Sequence, residues 1–323
     1  MSYAIRIHTH GGPDVLRWEQ VPTPQPGPNE ALIRHEAIGL NFIDTYFRTG
    51  LYKTPLPTTL GMEGAGEVLT VGESVKNVVP GDRVAYAGGA LGAYATERVI
   101  NAERLIKLPA SISSETAAAV MLQGLTAYFL LHRTHQVQPG ETILVHAAAG
   151  GVGQILCQWA THIGSQVIAV VSSDAKAEIA RANGAAHVIV GYKSLSAEVK
   201  KITSGAMVPV VYDGVGRDTF DASLDCLAPL GLMVSFGNAS GPVPPVDLAT
   251  LNAKGSLFLT RPGLATYMAA QKDLAAGAAA LFEAILSGAL KVKVSQSFPL
   301  EQAALAHTAL EARQTTGSTI LIP

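Results

Sequence analysis

The sequence predicts an α/β protein in which a parallel sheet covered by helices is inserted into a second, β-rich domain. Strand and helix patterns alternate between residues 142 and 259, which is typical of a parallel sheet with helices on both faces. Short strand patterns separated by glycine and proline fill residues 3–108, as expected of a β-rich domain. The chain of 323 residues is also longer than one hydrophobic core normally serves, so two domains are expected.

Both ends of the chain contribute to the predicted β-rich domain. Its first strands are predicted at residues 3–8, 31–40, 64–71, 83–87 and 94–100. A helical region capped by Ser113 continues to residue 132, where the β character ends. The last part of the chain lacks strand–helix alternation and is predicted to form a helix at 264–287, a strand at 292–298, a helix at 300–313 and a strand at 319–322. We therefore assign residues 1–123 and 264–323 to this domain and residues 124–263 to the parallel-sheet domain.

Six strands and four helices are predicted in the parallel-sheet domain. The strand patterns lie at residues 142–146, 167–171, 187–190, 208–212, 232–236 and 256–259. The helix patterns lie at residues 152–163, 175–182, 195–202 and 219–227.

Composition and charge exclude several classes of function. The chain is 48% hydrophobic and 15% charged with a formal net charge of -2, so it has no long-range attraction for nucleic acid or anionic membranes. Its first residues do not resemble a signal peptide, and no apolar run approaches the roughly 18 residues of a membrane span. The two cysteines, Cys157 and Cys226, lie in apolar helical patterns, where free cysteine packs as a small hydrophobe. We expect a cytoplasmic protein that binds neither nucleic acid nor membranes.

A glycine-rich turn follows the first strand of the parallel-sheet domain. Residues 147–153 read Ala-Ala-Ala-Gly-Gly-Val-Gly, a dinucleotide-binding fingerprint with Ala148 in the first glycine position. Bare backbone at Gly150 and Gly151 can approach a pyrophosphate, which the N–H groups of the following helix favour. Gly153 allows close packing of helix on strand. Such a turn can also connect a strand to a helix without binding a ligand. The strand–helix pairs that follow favour a Rossmann cofactor-binding domain.

The end of the second strand of this domain indicates which dinucleotide binds. NAD-specific sites place Asp or Glu there to accept hydrogen bonds from the adenosine ribose, whereas this sequence has Ser172 and Ser173. These hydroxyls, together with Lys176, can hold a 2′-phosphate. Asp174 is close by, but it stands where it can cap the next helix. The sequence therefore predicts NADPH as the cofactor in preference to NADH.

Several segments spread along nearly the whole chain carry a resemblance to one family: 41–46, 61–66, 81–84, 124–128, 147–153, 212–216 and 236–237. They resemble the zeta-crystallin-like quinone oxidoreductases, which are zinc-free members of the medium-chain dehydrogenase/reductase superfamily. The resemblance implies a GroES-like β-rich catalytic domain plus a Rossmann doubly wound parallel-sheet domain, NADPH-dependent reduction of a small-molecule quinone, and a homodimer. Residues 223–227 and 317–323 resemble the bacterial enzymes in particular.

The same resemblance bears on metal binding. Zinc alcohol dehydrogenases of the superfamily carry Cys, His and Cys ligands at three sites, where this sequence has Asn41, Met62 and Gln123. Amide and thioether groups do not form a stable zinc site, which requires thiolate, imidazole or carboxylate ligands. We therefore expect no catalytic metal.

Site residues are also implied by the resemblance. It gives Asn41, Tyr46 and Tyr52 as catalytic candidates, with Tyr46, Tyr52 and Arg261 in the substrate cleft. Packing in an aromatic patch is the alternative role for both tyrosines. The implied cofactor-binding residues, including those derived above from the Rossmann pattern, are Asn41, Thr126, Gly150, Gly151, Val152, Ser172, Ser173, Lys176, Tyr192, Val215, Phe236, Gly237 and Arg313.

Two other functions are compatible with the sequence. Alkenal or enoyl reductases on the same scaffold reduce an activated carbon–carbon double bond, and Tyr46 or Tyr52 would then serve as the proton donor. An NADPH-binding structural or RNA-binding protein is the alternative from another class. The net charge of -2 argues against RNA binding.

Overall fold

The computed structural model describes all 323 residues, which divide into two compact units. The first unit comprises Met1–Leu125, Met268–Phe282 and Lys291–Pro323, and the second comprises Thr126–Tyr267 and Glu283–Leu290. Glu283–Leu290 thus groups with the second unit, whereas the sequence pattern assigned these residues to the β-rich domain. The exact domain limits remain a prediction.

Sixteen strands and eleven α-helices make up the two units. In chain order the strands are β1 (Ser2–Ile7), β2 (Arg17–Val21), β3 (Glu30–Leu40), β4 (Thr58–Thr59), β5 (Glu63–Val71), β6 (Arg83–Ala87), β7 (Glu97–Asn101), β8 (Ile106–Lys107), β9 (Thr142–His146), β10 (Gln166–Val171), β11 (His187–Val190), β12 (Val208–Asp213), β13 (Leu227–Ser235), β14 (Phe258–Thr260), β15 (Val294–Pro299) and β16 (Ser318–Ile322). The helices are α1 (Phe42–Thr49), α2 (Ser114–Ala118), α3 (Met121–Phe129), α4 (Gly151–Ile163), α5 (Asp174–Ala182), α6 (Leu195–Ile202), α7 (Phe220–Leu224), α8 (Leu248–Ala253), α9 (Leu264–Tyr267), α10 (Gln271–Leu286) and α11 (Ala303–Glu311). No helix is both long enough and apolar enough to span a bilayer.

The second unit contains the predicted Rossmann sheet. Its six strands are parallel and lie in the order β11-β10-β9-β12-β13-β14. Numbered within the sheet, this is the order 3-2-1-4-5-6 of dinucleotide-binding domains. Its strands are nearly continuous apolar runs because both faces are covered: Val167–Val171 is buried throughout. The predicted fold class is confirmed.

The first unit is a β domain built from both ends of the chain. Strands β2, β1 and β4 form a small antiparallel sheet. The larger sheet has the order β15-β16-β3-β5-β6-β8, with β7 also paired to β3. The C-terminal strand β16 runs antiparallel to β3, with Leu321 opposite Ile38. The core between these elements is formed by apolar side chains such as Ile33, Val68 and Leu321.

The single helix predicted at 264–287 is wrong, because the structure has two helices there, α9 and α10, separated by residues 268–270. Met268 is buried there, and its carbonyl accepts a hydrogen bond of 2.7 Å from Arg104 Nη1. The carbonyl of Ala270 then accepts from the backbone N–H of Asp273 and of Leu274, both at 3.1 Å, which starts α10. A contact from a residue far away in sequence thus interrupts an alanine-rich segment of high helix propensity.

Smaller differences occur at other elements. The elements that were not predicted are β2, β4, β8, α1 and α8. Helix α7 ends at Leu224 rather than at residue 227, and β13 begins at Leu227 rather than at residue 232. The helical region after Ser113 is divided into α2, α3 and a π-helical turn at Leu130–Thr134. Ser113 caps α2 as predicted, because its Oγ accepts from the N–H of Thr116 at 3.1 Å.

Candidate active site

The glycine-rich turn joins β9 to α4 with little room for side chains. Ala147 adopts a left-handed conformation, with φ of 49°, and its carbonyl accepts from Gly150 N–H at 2.8 Å. A Cβ atom at Gly153 would lie 2.3 Å from that same carbonyl oxygen, so only glycine fits. No side chain caps the N-terminus of α4, whose N–H groups are suited to bind an anion such as a diphosphate.

Polar groups meet at the end of β10, the strand next to β9. The Nζ of Lys176 lies 3.4 Å from Ser172 Oγ. Ser173 Oγ accepts from the N–H of Lys176 at 3.4 Å and so caps α5. The cap expected at Asp174 is therefore wrong. Asp174 is the first residue of α5, where its charge still favours the positive end of the helix dipole.

The other predicted cofactor residues of this unit follow further strand ends. Tyr192 comes after β11, Val215 after β12, and Phe236 with Gly237 after β13. A Cβ atom at Gly237 would lie 2.2 Å from the carbonyl oxygen of Gly214, so the two loops approach each other closely. Ligands of open parallel sheets bind at these carboxyl ends.

Arg261, predicted to contact substrate, follows β14 and hydrogen-bonds to the end of β13. Its Nη1 donates to the carbonyls of Ser235 at 2.8 Å and Gly237 at 3.0 Å. Nη2 lies 3.1 Å from the side-chain oxygen of Asn238 when that amide is oriented to donate to Gly237. Arg261 therefore shapes the loop that carries Phe236 and Gly237.

A buried polar cluster under the strand ends was not found from the sequence. Asp213 Oδ1 accepts from the backbone N–H of Val215 at 2.7 Å. Its Oδ2 accepts from Thr219 at 2.7 Å and Ser223 at 3.1 Å, and Ser223 Oγ lies 2.8 Å from His146 Nε2. Burial lowers the pKa of His146, against the opposing charge of Asp213. His146 is the last residue of the strand predicted at 142–146, and the structure shows that it also belongs to the cluster that holds the loop at Val215.

In the first unit, Asn41 stands at the start of α1. Its backbone N–H donates to Asp44 Oδ2 at 2.9 Å, the carboxylate half of a capping box. Gly50, in the left-handed conformation with φ of 82°, ends the helix. This local structure determines the direction in which Tyr46, one turn into α1, leaves the backbone.

Tyr46 and Tyr52 lie together in an aromatic group. Their ring centroids are 5.3 Å apart in an edge-on arrangement, and Tyr52 also packs edge-on against Phe47 at 5.6 Å. The N–H of Tyr52 donates to the carbonyl of Tyr46 at 3.0 Å. Tyr46 is buried and Tyr52 is half-buried. The structure brings the two tyrosines into contact, and this packing is compatible with both the catalytic and the purely aromatic interpretation.

The side chain of Asn41 belongs to a buried hydrogen-bond chain of four residues, which we call the amide chain. Ser318 Oγ donates to Gln123 Oε1 at 2.8 Å, Gln123 Nε2 donates to Asn41 Oδ1 at 3.3 Å, and Asn41 Nδ2 donates to Glu63 Oε2 at 2.6 Å. The other oxygen of Glu63 accepts from Leu122 N–H at 2.6 Å. Burial raises the pKa of Glu63 to about 8, although the N–H groups of Leu122 and Asn41 oppose the shift.

A second buried chain leads to Asp44. Arg48 Nη1 lies 3.0 Å from His307 Nδ1, His307 Nε2 lies 3.0 Å from the hydroxyl of Tyr94, and that hydroxyl donates to Asp44 Oδ2 at 2.9 Å. Because arginine only donates, Nδ1 of His307 must accept and its Nε2–H faces Tyr94. Burial and the charge of Arg48 lower the pKa of His307 to about 3. Burial raises the pKa of Asp44 to about 7.

Neither Asp44 nor Glu63 was singled out from the sequence. The spacing of Asn41 and Asp44 is that of a capping box, and this signal was available. Glu63 precedes the small buried residues Gly64, Ala65 and Gly66, and a carboxylate in such surroundings needs a buried partner. The identity of that partner was not available, because Asn41 lies 22 positions away.

The donor groups at the three positions of the zinc ligands do not suit a metal. The side chains of Asn41 and Gln123 are engaged with each other and with Glu63 and Ser318, and the third position is the thioether Met62. No group of three His, Cys, Asp or Glu side chains in the structure could hold a metal ion.

The remaining predicted residues, Thr126 and Arg313, lie at other places in the fold. Thr126 lies buried in α3 at the beginning of the second unit. Arg313 follows α11 in the first unit and has a left-handed backbone with φ of 57°. The roles of all the predicted site residues remain predictions.

Comparison with known families defines the class of this protein. Residues 27–110 match the alcohol dehydrogenase GroES-like domain, and residues 151–283 match the zinc-binding dehydrogenase family. The two matches fall on the β domain and on the Rossmann sheet. This combination defines an oxidoreductase of the medium-chain dehydrogenase/reductase type.

Individual relatives narrow the class further. The chain is 52% identical to a quinone oxidoreductase of Pseudomonas aeruginosa over the full length of both chains. The crystal structure of Escherichia coli quinone oxidoreductase complexed with NADPH is 49% identical, with a TM-score of 0.97, over 99% of this chain and 100% of that chain. A 2-haloacrylate reductase of Burkholderia is 44% identical over 100% of this chain and 99% of its own. The chain belongs to the quinone oxidoreductase family of the medium-chain dehydrogenase/reductase superfamily, as the resemblance predicted.

Proposed function

We propose that this protein is a zinc-independent enzyme that uses NADPH to reduce quinones. The main support for the proposal is the set of groups found at the ends of β9 and β10. The bare turn at Gly150 and Gly153 suits a diphosphate, and Ser172, Ser173 and Lys176 suit a 2′-phosphate without an acidic side chain at the strand tip. Relatives named quinone oxidoreductase, one of them bound to NADPH, support the same function.

The chemistry requires little from the protein beyond binding and orientation. NADPH supplies a hydride when it is bound. A quinone accepts electrons readily because its carbonyls are conjugated, so no Lewis acid is required. This agrees with the amides and thioether at Asn41, Gln123 and Met62. Asn41 orients the reacting groups, and the rings of Tyr46 and Tyr52 provide a partly buried contact surface for a planar, conjugated acceptor.

Steady-state kinetics test this function. EDTA-treated protein should oxidise NADPH with 1,4-benzoquinone at the rate of untreated protein, and should use NADH with much lower kcat/KM. Loss of activity on EDTA treatment that added zinc restores would contradict zinc independence. Equal kcat/KM for both cofactors would contradict the role given to the end of β10.

Reduction of an activated carbon–carbon double bond is a second candidate function. Its support is the 44% identity to a 2-haloacrylate reductase along the whole chain. The fold and cofactor would be the same, and Tyr46 or Tyr52 would supply the proton that this reaction needs. Comparing kcat/KM for benzoquinone with that for 2-chloroacrylate distinguishes the two, because the physiological class of acceptor should be favoured at least tenfold.

A homodimer formed through β14 is part of the proposal. This strand lies at the edge of the six-stranded sheet, and its side chains Phe258 and Leu259 are 61% and 37% exposed. An apolar edge strand of this kind pairs readily with a second copy. Sedimentation should give a dimer for the native chain and a monomer for Phe258→Glu with Leu259→Lys. A native monomer at micromolar concentration would contradict this assembly.

A cytoplasmic location is also part of the proposal, in agreement with the two free, buried cysteines.

A further inference from the structure

The amide chain has a direction, in which each side chain donates to the next. It runs from Ser318 through Gln123 and Asn41 to Glu63, and all four side chains are buried. An amide has donors on one side and an acceptor on the other. The direction of the chain therefore determines which side of the Asn41 amide faces Glu63 and which side faces Gln123.

Glu63, the last residue of the amide chain, determines this direction. The backbone N–H of Leu122 can only donate, so Glu63 Oε1 must accept from it. An ionised Oε2 accepts from Asn41, as the structure shows. A protonated Oε2 would donate instead, and the amides of Asn41 and Gln123 would both have to rotate. Ser318 could then accept, because a hydroxyl can act either way, so the reversed chain keeps every hydrogen bond.

We propose that Glu63 is a positioning residue which sets the direction of the amide chain, and thereby decides whether Asn41 presents its Nδ2 or its Oδ1 in the orientation needed for the reaction. The proposal rests on the proposed role of Asn41 in orienting the reacting groups. Gly39 supports a specific position for Glu63, because a Cβ atom there would lie 2.2 Å from Glu63 Oε2.

The surroundings of Glu63 allow both protonation states near neutral pH. Burial raises the pKa of Glu63 to about 8, and the charge of Asp44 adds to the shift, while N–H groups of Leu122, Asn41 and Met121 oppose it. The ionisable groups near Glu63 or on β3, β5, β6 and α2 are Asp44, Tyr86, Tyr94, the neutral His35, Glu30, Glu36, Arg83, the ion pair of the exposed Arg34 with the half-buried Glu67, and the exposed Glu115. Burial raises the pKa of Asp44 to about 7.

The variant Glu63→Gln tests the proposal. Its carbonyl would accept from Leu122 and its NH₂ group would donate to Asn41, so the chain is reversed at every pH without losing a hydrogen bond. In the native protein, kcat/KM for NADPH with benzoquinone should rise about fivefold, the effect of one hydrogen bond, as the pH rises through the pKa of about 8. Glu63→Gln should remain at the low-pH value throughout and should melt within a few degrees of the native protein.

Control variants separate Glu63 from its neighbours. Glu67→Gln makes the same chemical change at a half-buried position on β5, where it removes an ion pair with Arg34, and should keep the native pH profile. Asp44→Asn should keep the rise but move it to a lower pH, because the charge of Asp44 contributes to the raised pKa of Glu63; a rise that survives in this variant is assigned to Glu63. Glu63→Asp retains an ionisable acceptor and should restore a rising profile, and this variant serves as the test if Glu63→Gln does not fold.

Failure of this inference can be distinguished from failure of the proposed function. If Asn41→Ala leaves kcat/KM unchanged, the role of Asn41 itself is wrong. If Asn41→Ala lowers kcat/KM while Glu63→Gln keeps the native pH profile, Asn41 acts but Glu63 does not orient it, and the inference is overturned.

Discussion

At the scale of single residues, the protein separates groups that face a ligand from groups that hold them in place. Ser172 and Lys176 lie at the surface end of β10 with their polar atoms 3.4 Å apart. Asp44 and Glu63 are completely buried and bind other parts of the protein. Burial raises the pKa values of these two acids, and both accept a hydrogen bond from Asn41.

Lys176 is expected to distinguish NADPH from NADH. Because its ammonium group would meet the charged 2′-phosphate, Lys176→Ala should raise the KM for NADPH about tenfold, the value of one charge-assisted hydrogen bond near the surface. The KM for NADH should not change. Lys200→Ala, an exposed lysine on α6, is the matched control. An equal rise in KM for both cofactors would show that Lys176 does not contact the 2′-phosphate.

His307 should affect how stability depends on pH. Its pKa is lowered from 6.5 to about 3 in the folded state, so the unfolded chain takes up a proton there that the folded chain does not. This contribution to stability is present above pH 6.5 and is lost as the pH falls towards 3.

Urea unfolding of His307→Gln checks this expectation. From about pH 6.5 down to about pH 4.5, the free energy of unfolding should fall more steeply for the native protein than for the variant, by up to about 1.4 kcal/mol per pH unit. Parallel curves would show that His307 is not held neutral. His35, whose pKa is also lowered to about 3, remains in both proteins and cancels in the comparison.

At the scale of elements, each unit has its candidate functional residues at the ends of strands and helices. The turn between β9 and α4 is narrow because Gly153 packs against the carbonyl of Ala147. The start of α1 is held by Asp44, whose carboxylate accepts from the N–H of Asn41. Both are backbone features, so substitutions there should change ligand binding without removing any group that touches the ligand.

Gly153→Ala tests the turn. Its added Cβ would meet the carbonyl of Ala147 at 2.3 Å, so the turn must move. The free energy of unfolding should fall by about 1–3 kcal/mol, and the Kd for NADPH should rise more than tenfold. Gly263→Ala, where a Cβ atom has open space, should change neither quantity. Unchanged NADPH affinity in calorimetry would mean that the diphosphate does not bind at this turn.

At the scale of the whole molecule, the sequence was sufficient for the fold class because that information is local. A parallel sheet is predicted by apolar runs that are each followed by a helix, such as those at Thr142–His146 and Gln166–Val171. Each run can be recognised from neighbouring residues alone. The break at Met268 was missed because it depends on Arg104, 164 positions earlier.

In the candidate site, too, local patterns were recognised from the sequence and contacts between distant residues were not. The serines at the end of β10 and the glycine-rich turn are contiguous in sequence and were found. The buried chains were missed because their members are distant in sequence: Arg48 and His307 are 259 positions apart, and Gln123 and Ser318 are 195 apart. Hydrogen bonds between such residues form only when the fold brings them together, so no local sequence pattern predicts them.

The central claim is tested most directly by a single turnover of the EDTA-treated protein loaded with NADPH and mixed rapidly with 1,4-benzoquinone. We expect the bound NADPH to be oxidised at least as fast as in steady-state turnover, with one hydroquinone formed for each NADPH consumed. Failure of the protein to bind NADPH, or oxidation only after zinc is added, would contradict the claim.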